Sequence, residues 1–292
     1  MIRAVGAAGL LVLLGAGTAC RPGAELDDTE LAQRAQRLSN AMRSDTATGP
    51  LARWILPSAL NEVSGLALSP DGRLFAHGDE AAVIFEIDYR HGVMVKHFQL
   101  GRRAVRDDFE AIEIVGDQFF LLASDGRIYR FREGDANARV DYDVFDTGLG
   151  SRCEFEGMAW DSAANQMVLA CKNIEERRLR DHVVLYRVAL DSNARAADPL
   201  IIPLERARRG NSWDEIKPSD VTVDAATGTY FIVAAQQKGL LQITRQGDVL
   251  AAGPLPDDLE FAEGLAITSD SLMIISTEAM GGPPAIQIYP RP

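Results

Sequence analysis

The sequence predicts an all-β chain wound into a five-bladed propeller, and three observations predict it. First, a polar or acidic residue, a small residue and an apolar alternation recur five times. The copies are Val63-Ser64-Gly65-Leu66-Ala67, Phe109-Glu110-Ala111-Ile112, Phe155-Glu156-Gly157-Met158-Ala159, Pro218-Ser219-Asp220-Val221-Thr222 and Ala262-Glu263-Gly264-Leu265-Ala266. Their spacing is roughly 45 residues, the length of one four-stranded blade and not of a helical solenoid unit. Second, period-two patterning rules each copy and the strands after it, such as Ala82-Val83-Ile84-Phe85-Glu86-Ile87, with turns such as Ser69-Pro70-Asp71-Gly72 between them. Third, Arg53-Trp54-Ile55-Leu56-Pro57 reads as a strand without a hairpin partner, while the fifth copy has room for only three strands, ending at Ala285-Ile286-Gln287-Ile288-Tyr289. A strand donated from the N-terminal side completes that blade, closes the ring and removes two exposed edges.

Taken in order, residues 1–20 carry Arg3, an apolar stretch from Ala4 to Leu14 and the small residues Gly17-Thr18-Ala19 before Cys20. This reads as an export signal, its apolar run being too short for a membrane-spanning helix. The segment resembles the lipobox of bacterial lipoproteins, with Gly17 standing where that motif usually has Leu; lipidation at Cys20 is expected, and plain cleavage after Ala19 is the alternative. Residues 21–50 are polar, with an amphipathic piece from Asp28 to Met42 that Thr29 can cap and that sets Leu31, Ala35, Leu38 and Met42 at helical spacing. They read as a tether with a short helix, leading to a propeller domain over 51–292. The expansion from Asp191 to Lys217, with Pro199 and Pro203, reads as a long outer strand plus loop.

At 292 residues and 47% hydrophobic, the chain can bury a large core. A formal charge of −12 argues against a nucleic-acid partner, because phosphate contacts need a clustered basic face. The basic runs Arg177-Arg178-Leu179-Arg180 and Arg206-Ala207-Arg208-Arg209 sit among acids and read as solvated loop charge. No apolar run after the N-terminal segment is long enough to span a bilayer, so membrane association is expected only through the anchor at Cys20. Cys153 and Cys171 fall on paired strands about equally far from the turn at Ser162-Ala163-Ala164-Asn165, which brings their Cα atoms near disulfide distance. An oxidising compartment would keep that bond; two buried free thiols are the alternative, since a register change of one residue separates the side chains.

Innermost strands of a propeller line its channel, so the starts of the five copies converge on one mouth. Ser64, Glu110, Glu156, Ser219 and Glu263 stand there, with Glu62, Asp108, Glu154 and Asp220 nearby. Carboxylates gathered in one place call for raised pKa values, a basic partner or a bound cation. Oxygen donors without His or Cys suit a hard ion, Ca²⁺ before Mg²⁺, while acids hydrated and bonded to backbone amides are the bland reading. No G-x-S-x-G elbow, H-E-x-x-H helix, P-loop or dinucleotide fingerprint occurs. His77, two residues before Asp79-Glu80, is a candidate acid or base.

The chain resembles the SdiA-regulated family of bacterial envelope proteins, calcium-binding propellers distantly related to NHL-repeat proteins. Besides the five copies, the stretches that carry the resemblance are Asp79-Glu80, Ser124-Asp125-Gly126-Arg127-Ile128-Tyr129, Ala170-Cys171-Lys172 and Ser276-Thr277-Glu278, so that it covers about residues 50 to 290. It implies a five-bladed propeller and a calcium site, carried here by Glu110, Glu156 and Glu263, with Asp220 and Glu62 as further candidates. Ala111 departs from the Gly usual at that position. The resemblance assigns no reaction.

Two functions are therefore expected to compete. One is a calcium-binding propeller, exported and either lipid-anchored in the cell envelope or free in the periplasm, that binds or scaffolds a protein or small-molecule partner. The other is a metal-dependent hydrolase of a lactone, ester or phosphodiester, in which calcium at the channel mouth polarises the substrate and Glu156 or His77 moves a proton.

Overall fold

The structure is a computed structural model that describes residues 49–190, 196–208, 210–256, 258–280 and 282–292. The export signal, Cys20 and the tether helix lie outside the described residues. Five antiparallel sheets stand around an axis. Blade 1 runs through Val63–Leu68, Leu74–Gly78, Val83–Asp88 and Val93–Leu100, and blade 2 through Phe109–Val115, Gln118–Ala123, Arg127–Arg132 and Tyr142–Asp146. Blade 3 comprises Cys153–Asp161, Gln166–Ile174, His182–Val188 and Ala196–Pro203; blade 4 comprises Asp220–Asp224, Thr229–Ala234, Gly239–Ile243 and Val249–Pro254. Blade 5 has Ala262–Ile267, Leu272–Thr277 and Ala285–Pro290, and its fourth strand is Ala52–Ile55 from the other end of the chain.

That closure follows the expectation residue by residue, with Ala52 opposite Ile288 and Ile55 opposite Ala285. Trp54 then reaches past its own blade: its indole N–H donates to the Tyr89 carbonyl of blade 1 at 2.8 Å, and the ring lies against Gly92. One strand was not anticipated. Arg139–Val140, from the link between the third and fourth strands of blade 2, pairs in parallel with the outer strand of blade 1 at Gln99 and Leu100 and covers part of its edge.

Alternation along each strand sends one set of apolar side chains to each neighbouring blade, so the core divides into five clusters, one per junction. Tyr186, Tyr230, Phe75, Phe98, Phe119 and Phe155 are among its largest fully buried members. The small residue of the repeated pattern has a packing cause. A Cβ on Gly157 would stand 2.7 Å from the Val221 nitrogen, one on Gly264 2.8 Å from Leu66 Cγ, and one on Gly65 3.2 Å from the Ala111 Cα. Each small residue thus lets an inner strand press against the inner strand of the next blade.

Among the described residues, no helix is long and apolar enough to cross a membrane.

Candidate functional site: the acidic channel mouth

In four of the five inner strands, the pairing to the second strand skips one residue at the same place. The breaks lie between Val63 and Gly65, Phe109 and Ala111, Phe155 and Gly157, and Ala262 and Gly264. Ser64, Glu110, Glu156 and Glu263 are therefore bulge residues, opposite no partner, and a bulge re-aims the side chain that it carries. The repeated acid-before-glycine pattern is the local signature of this device.

Three of the four bulge residues are glutamates, and the charge of Lys172, which the second strand of blade 3 supplies, acts on all three. Lys172 Nζ donates to Glu156 Oε1 at 2.8 Å, and its charge also acts on Glu110 and Glu263. Burial pushes Glu110 up to about 9, helped by the charges of Glu156 and Asp108. Burial likewise lifts Glu263 to about 8, with Glu156 and Glu278 adding to it, and raises Glu156, against which Lys172 works. Burial opposes the Lys172 ammonium, but Glu156, Glu263 and Glu110 together outweigh it and hold its pKa above the ordinary lysine value. Glu263 accepts no hydrogen bond and makes no ion pair among the described residues.

The remaining candidates fall elsewhere. Asp220 is buried, and its two oxygens accept from the Val221 and Leu265 amides, both at 2.7 Å. Its carboxylate thus ties blade 4 to blade 5, with Ser219 Oγ donating to the Ala262 carbonyl at 2.7 Å beside it. Blade 4 shows no such break, and the visible sign in the sequence is Asp220 where the other copies have Gly or Ala. Glu62 is exposed at the rim, where its charge acts on Asp79 and Glu278; burial raises both of these, and the acidic neighbours add to it. His77 has no exposed surface. Burial depresses its pKa to about 4, Nδ1 meets the Gly78 carbonyl at 2.9 Å, and Nε2 has no hydrogen-bond partner among the described residues. The neutral imidazole is walled off from the channel beneath Gly65.

Cys153 and Cys171 are joined, with Cα atoms 5.7 Å apart, across the bulged start of the blade 3 hairpin. The bond clamps the two strands that carry Glu156 and Lys172.

Two groups were not anticipated in their roles. Lys172 was legible only as one polar residue at a strand end. Glu113 sits deeper on the inner strand of blade 2, where its carboxylate accepts from the Ile114 amide at 2.7 Å and the Trp160 amide at 2.8 Å. Its signal was a charge in the middle of an apolar strand, Ile112-Glu113-Ile114. Burial outweighs the two amides and lifts Glu113 from 4.5 to about 7. A carboxyl whose folded pKa is raised contributes its full stability below the unfolded value, and the contribution is lost as pH climbs through the folded value. Wild type should therefore lose stability relative to Glu113→Gln between about pH 4.5 and 7, by on the order of 3 kcal/mol, with a constant difference above. Parallel denaturant titrations across that range check it; a difference independent of pH would contradict it.

Among the described residues, no three His, Cys, Asp or Glu groups converge closely enough to hold one ion as the side chains stand. The Lys172 ammonium is paired with Glu156 and acts by its charge on Glu110 and Glu263. In donor type and charge, however, the residues fit a hard divalent cation: three carboxylates face one ammonium, which leaves two negative charges to be met by protons or by an ion.

Neither a protein-family model nor a curated protein matches the chain. Solved structures do. Glutaminyl cyclase from Myxococcus xanthus is similar at 11% identity and a TM-score of 0.54, covering 82% of this chain and 94% of that one. A luciferin-regenerating enzyme is similar at 10% identity and a TM-score of 0.53, covering 82% of this chain and 95% of that one. At such identities the likeness carries the fold alone, and the fold is the β-propeller that the five sheets form.

Proposed function

We propose that the protein is a calcium-binding propeller that acts as a binding module, with Glu110, Glu156 and Glu263 supplying carboxylate oxygens at the channel mouth. The observation that carries this reading is the set of three bulge-directed glutamates under the charge of a single ammonium, of which only Glu156 is paired with it among the described residues. The resemblance to the SdiA-regulated envelope proteins supports the same ion. With the export signal and Cys20 it supports a place in the cell envelope, lipid-anchored or periplasmic. Bound calcium would neutralise the mouth and leave the rim acids Glu62, Asp79 and Glu278 facing a protein or small-molecule partner.

Hydrolysis in the same mouth has one feature in its favour, the buried carboxyls of Glu110 and Glu156, both raised above the usual carboxylate range, as a general acid requires. A panel of lactones, aryl esters and phosphodiesters, assayed with and without chelator, separates the two. Turnover abolished by chelator and by Glu156→Gln would establish the hydrolase.

The binding reading is tested by thermal unfolding of chelator-treated protein. A ligand held only by the folded state at a hundred times its Kd adds about 2.7 kcal/mol. Calcium should then raise Tm by roughly 5–10 °C, magnesium by less, and Glu263→Gln should lose most of the rise. A Tm indifferent to calcium overturns the proposal.

A further inference from the structure

At the end of the channel away from the acidic mouth, four of the blade junctions are closed by an ion pair of one design. A charged residue just past the third strand of a blade meets a charge on the inner hairpin of the blade before it. The pairs are Arg90–Asp270 at 2.8 Å, Glu133–Arg73 at 2.6 Å, Arg245–Asp161 at 2.9 Å and Arg291–Asp224 at 2.9 Å. Blade 3 has Leu190 at that place and blade 2 offers Val115, while Asp117 turns to Arg132 of its own blade. Among the described residues, no ion pair crosses the junction between blades 2 and 3.

What stands there is a cavity of about 460 Å³, within the range of small-molecule sites. Trp160, Phe120 and Phe145 join Leu190 and Val115 in its walls, and Arg130 and Gln118 give it donors. Arg130 lies directly across from Phe120 on the face that blade 2 turns to blade 3, 5.9 Å from the Phe145 ring centroid. Its partner is Asp143 at 2.7 Å, in a pair exposed on both sides and hence weak. Among the described residues, no carboxylate lines the cavity, in a chain of net charge −12. Glu113, next in the same row of blade 2, has its oxygens on the Ile114 and Trp160 amides. The Trp160 indole N–H has no hydrogen-bond partner among the described residues.

Aromatic walls with a guanidinium and amide donors suit one class of ligand. We propose that the cavity between blades 2 and 3 binds a planar aromatic carboxylate, its rings against Trp160 and Phe120 and its carboxylate on Arg130. This site is separate from the acidic mouth and independent of calcium.

The test is calorimetric titration of the full-length chain with 2-naphthoate, in parallel with the neutral 2-naphthamide. One saturable site per chain is expected, at least tenfold tighter for the carboxylate and unchanged by chelator, since a charge-assisted bond is worth a factor of ten or more. Arg130→Gln should remove the preference for the anion, and Val115→Trp should fill the cavity and abolish binding, with circular dichroism and thermal melting confirming that both variants are folded. Arg130 is half-exposed, so that variant stays informative if the core change does not fold. Absence of saturable binding, equal affinity for the amide, or binding unchanged in a folded variant would each overturn the proposal.

Discussion

Deleting residues 49–57 should convert the protein into an aggregating species without a cooperative thermal transition. Those residues supply the fourth strand of blade 5, and their loss would bare the edge of Ala285–Pro290, whose sequence AIQIYP is almost wholly apolar. An unpaired apolar edge is a template for further strands. Leu56, fully in the core between blades 5 and 1, would go with it, as would the Trp54 bond to Tyr89 that links those blades. The milder change Trp54→Ala keeps the strand and removes the link. It should cost about 2–3 kcal/mol, a Tm lower by roughly 5–10 °C, in a protein that remains monomeric. Size-exclusion chromatography and calorimetry of both variants check this; a monomeric deletion variant melting like wild type would show that the ring does not need its closure.

Lys172→Met should have opposite effects on stability and on calcium. Without the ammonium, Glu110, Glu156 and Glu263 face one another with no cation, and stranding one side of a buried charge pair costs about 3 kcal/mol or more. In chelator the variant should therefore melt well below wild type. The same substitution vacates the position that an ion must take, so calcium should bind at least tenfold more tightly and restore most of the lost stability. Titration of both proteins with calcium, followed by heat and by melting temperature, reads both effects. A variant that is destabilised but has wild-type calcium affinity would show that Lys172 serves structure and does not compete for the site.

Legibility in the sequence differed between fold and site for physical reasons. Alternation and turn residues act within a few positions, so the five blades and the unpartnered strand at Arg53–Pro57 could be read directly. A bulge adds one residue to a strand without disturbing its alternation for long, so Glu110, Glu156 and Glu263 were visible as a recurring acid while the cause of their convergence was not. Lys172 depends on the register of a second strand, and Asp220 on amides of the next blade; neither is local. The parallel strand at Arg139–Val140 is too short for any pattern. Leu190 and Val115 matter only as the pair that replaces an ion bridge, and a replacement across blades shows only when junctions can be compared in space.

Diffraction from crystals soaked in calcium, collected where that element scatters anomalously, addresses the mouth most directly. We expect one anomalous peak per chain between the Glu110 and Glu263 carboxylates, with Lys172 displaced toward Glu156 or out of the cluster. A mouth without a peak, in which the ammonium stays on Glu156 as before, would contradict the account.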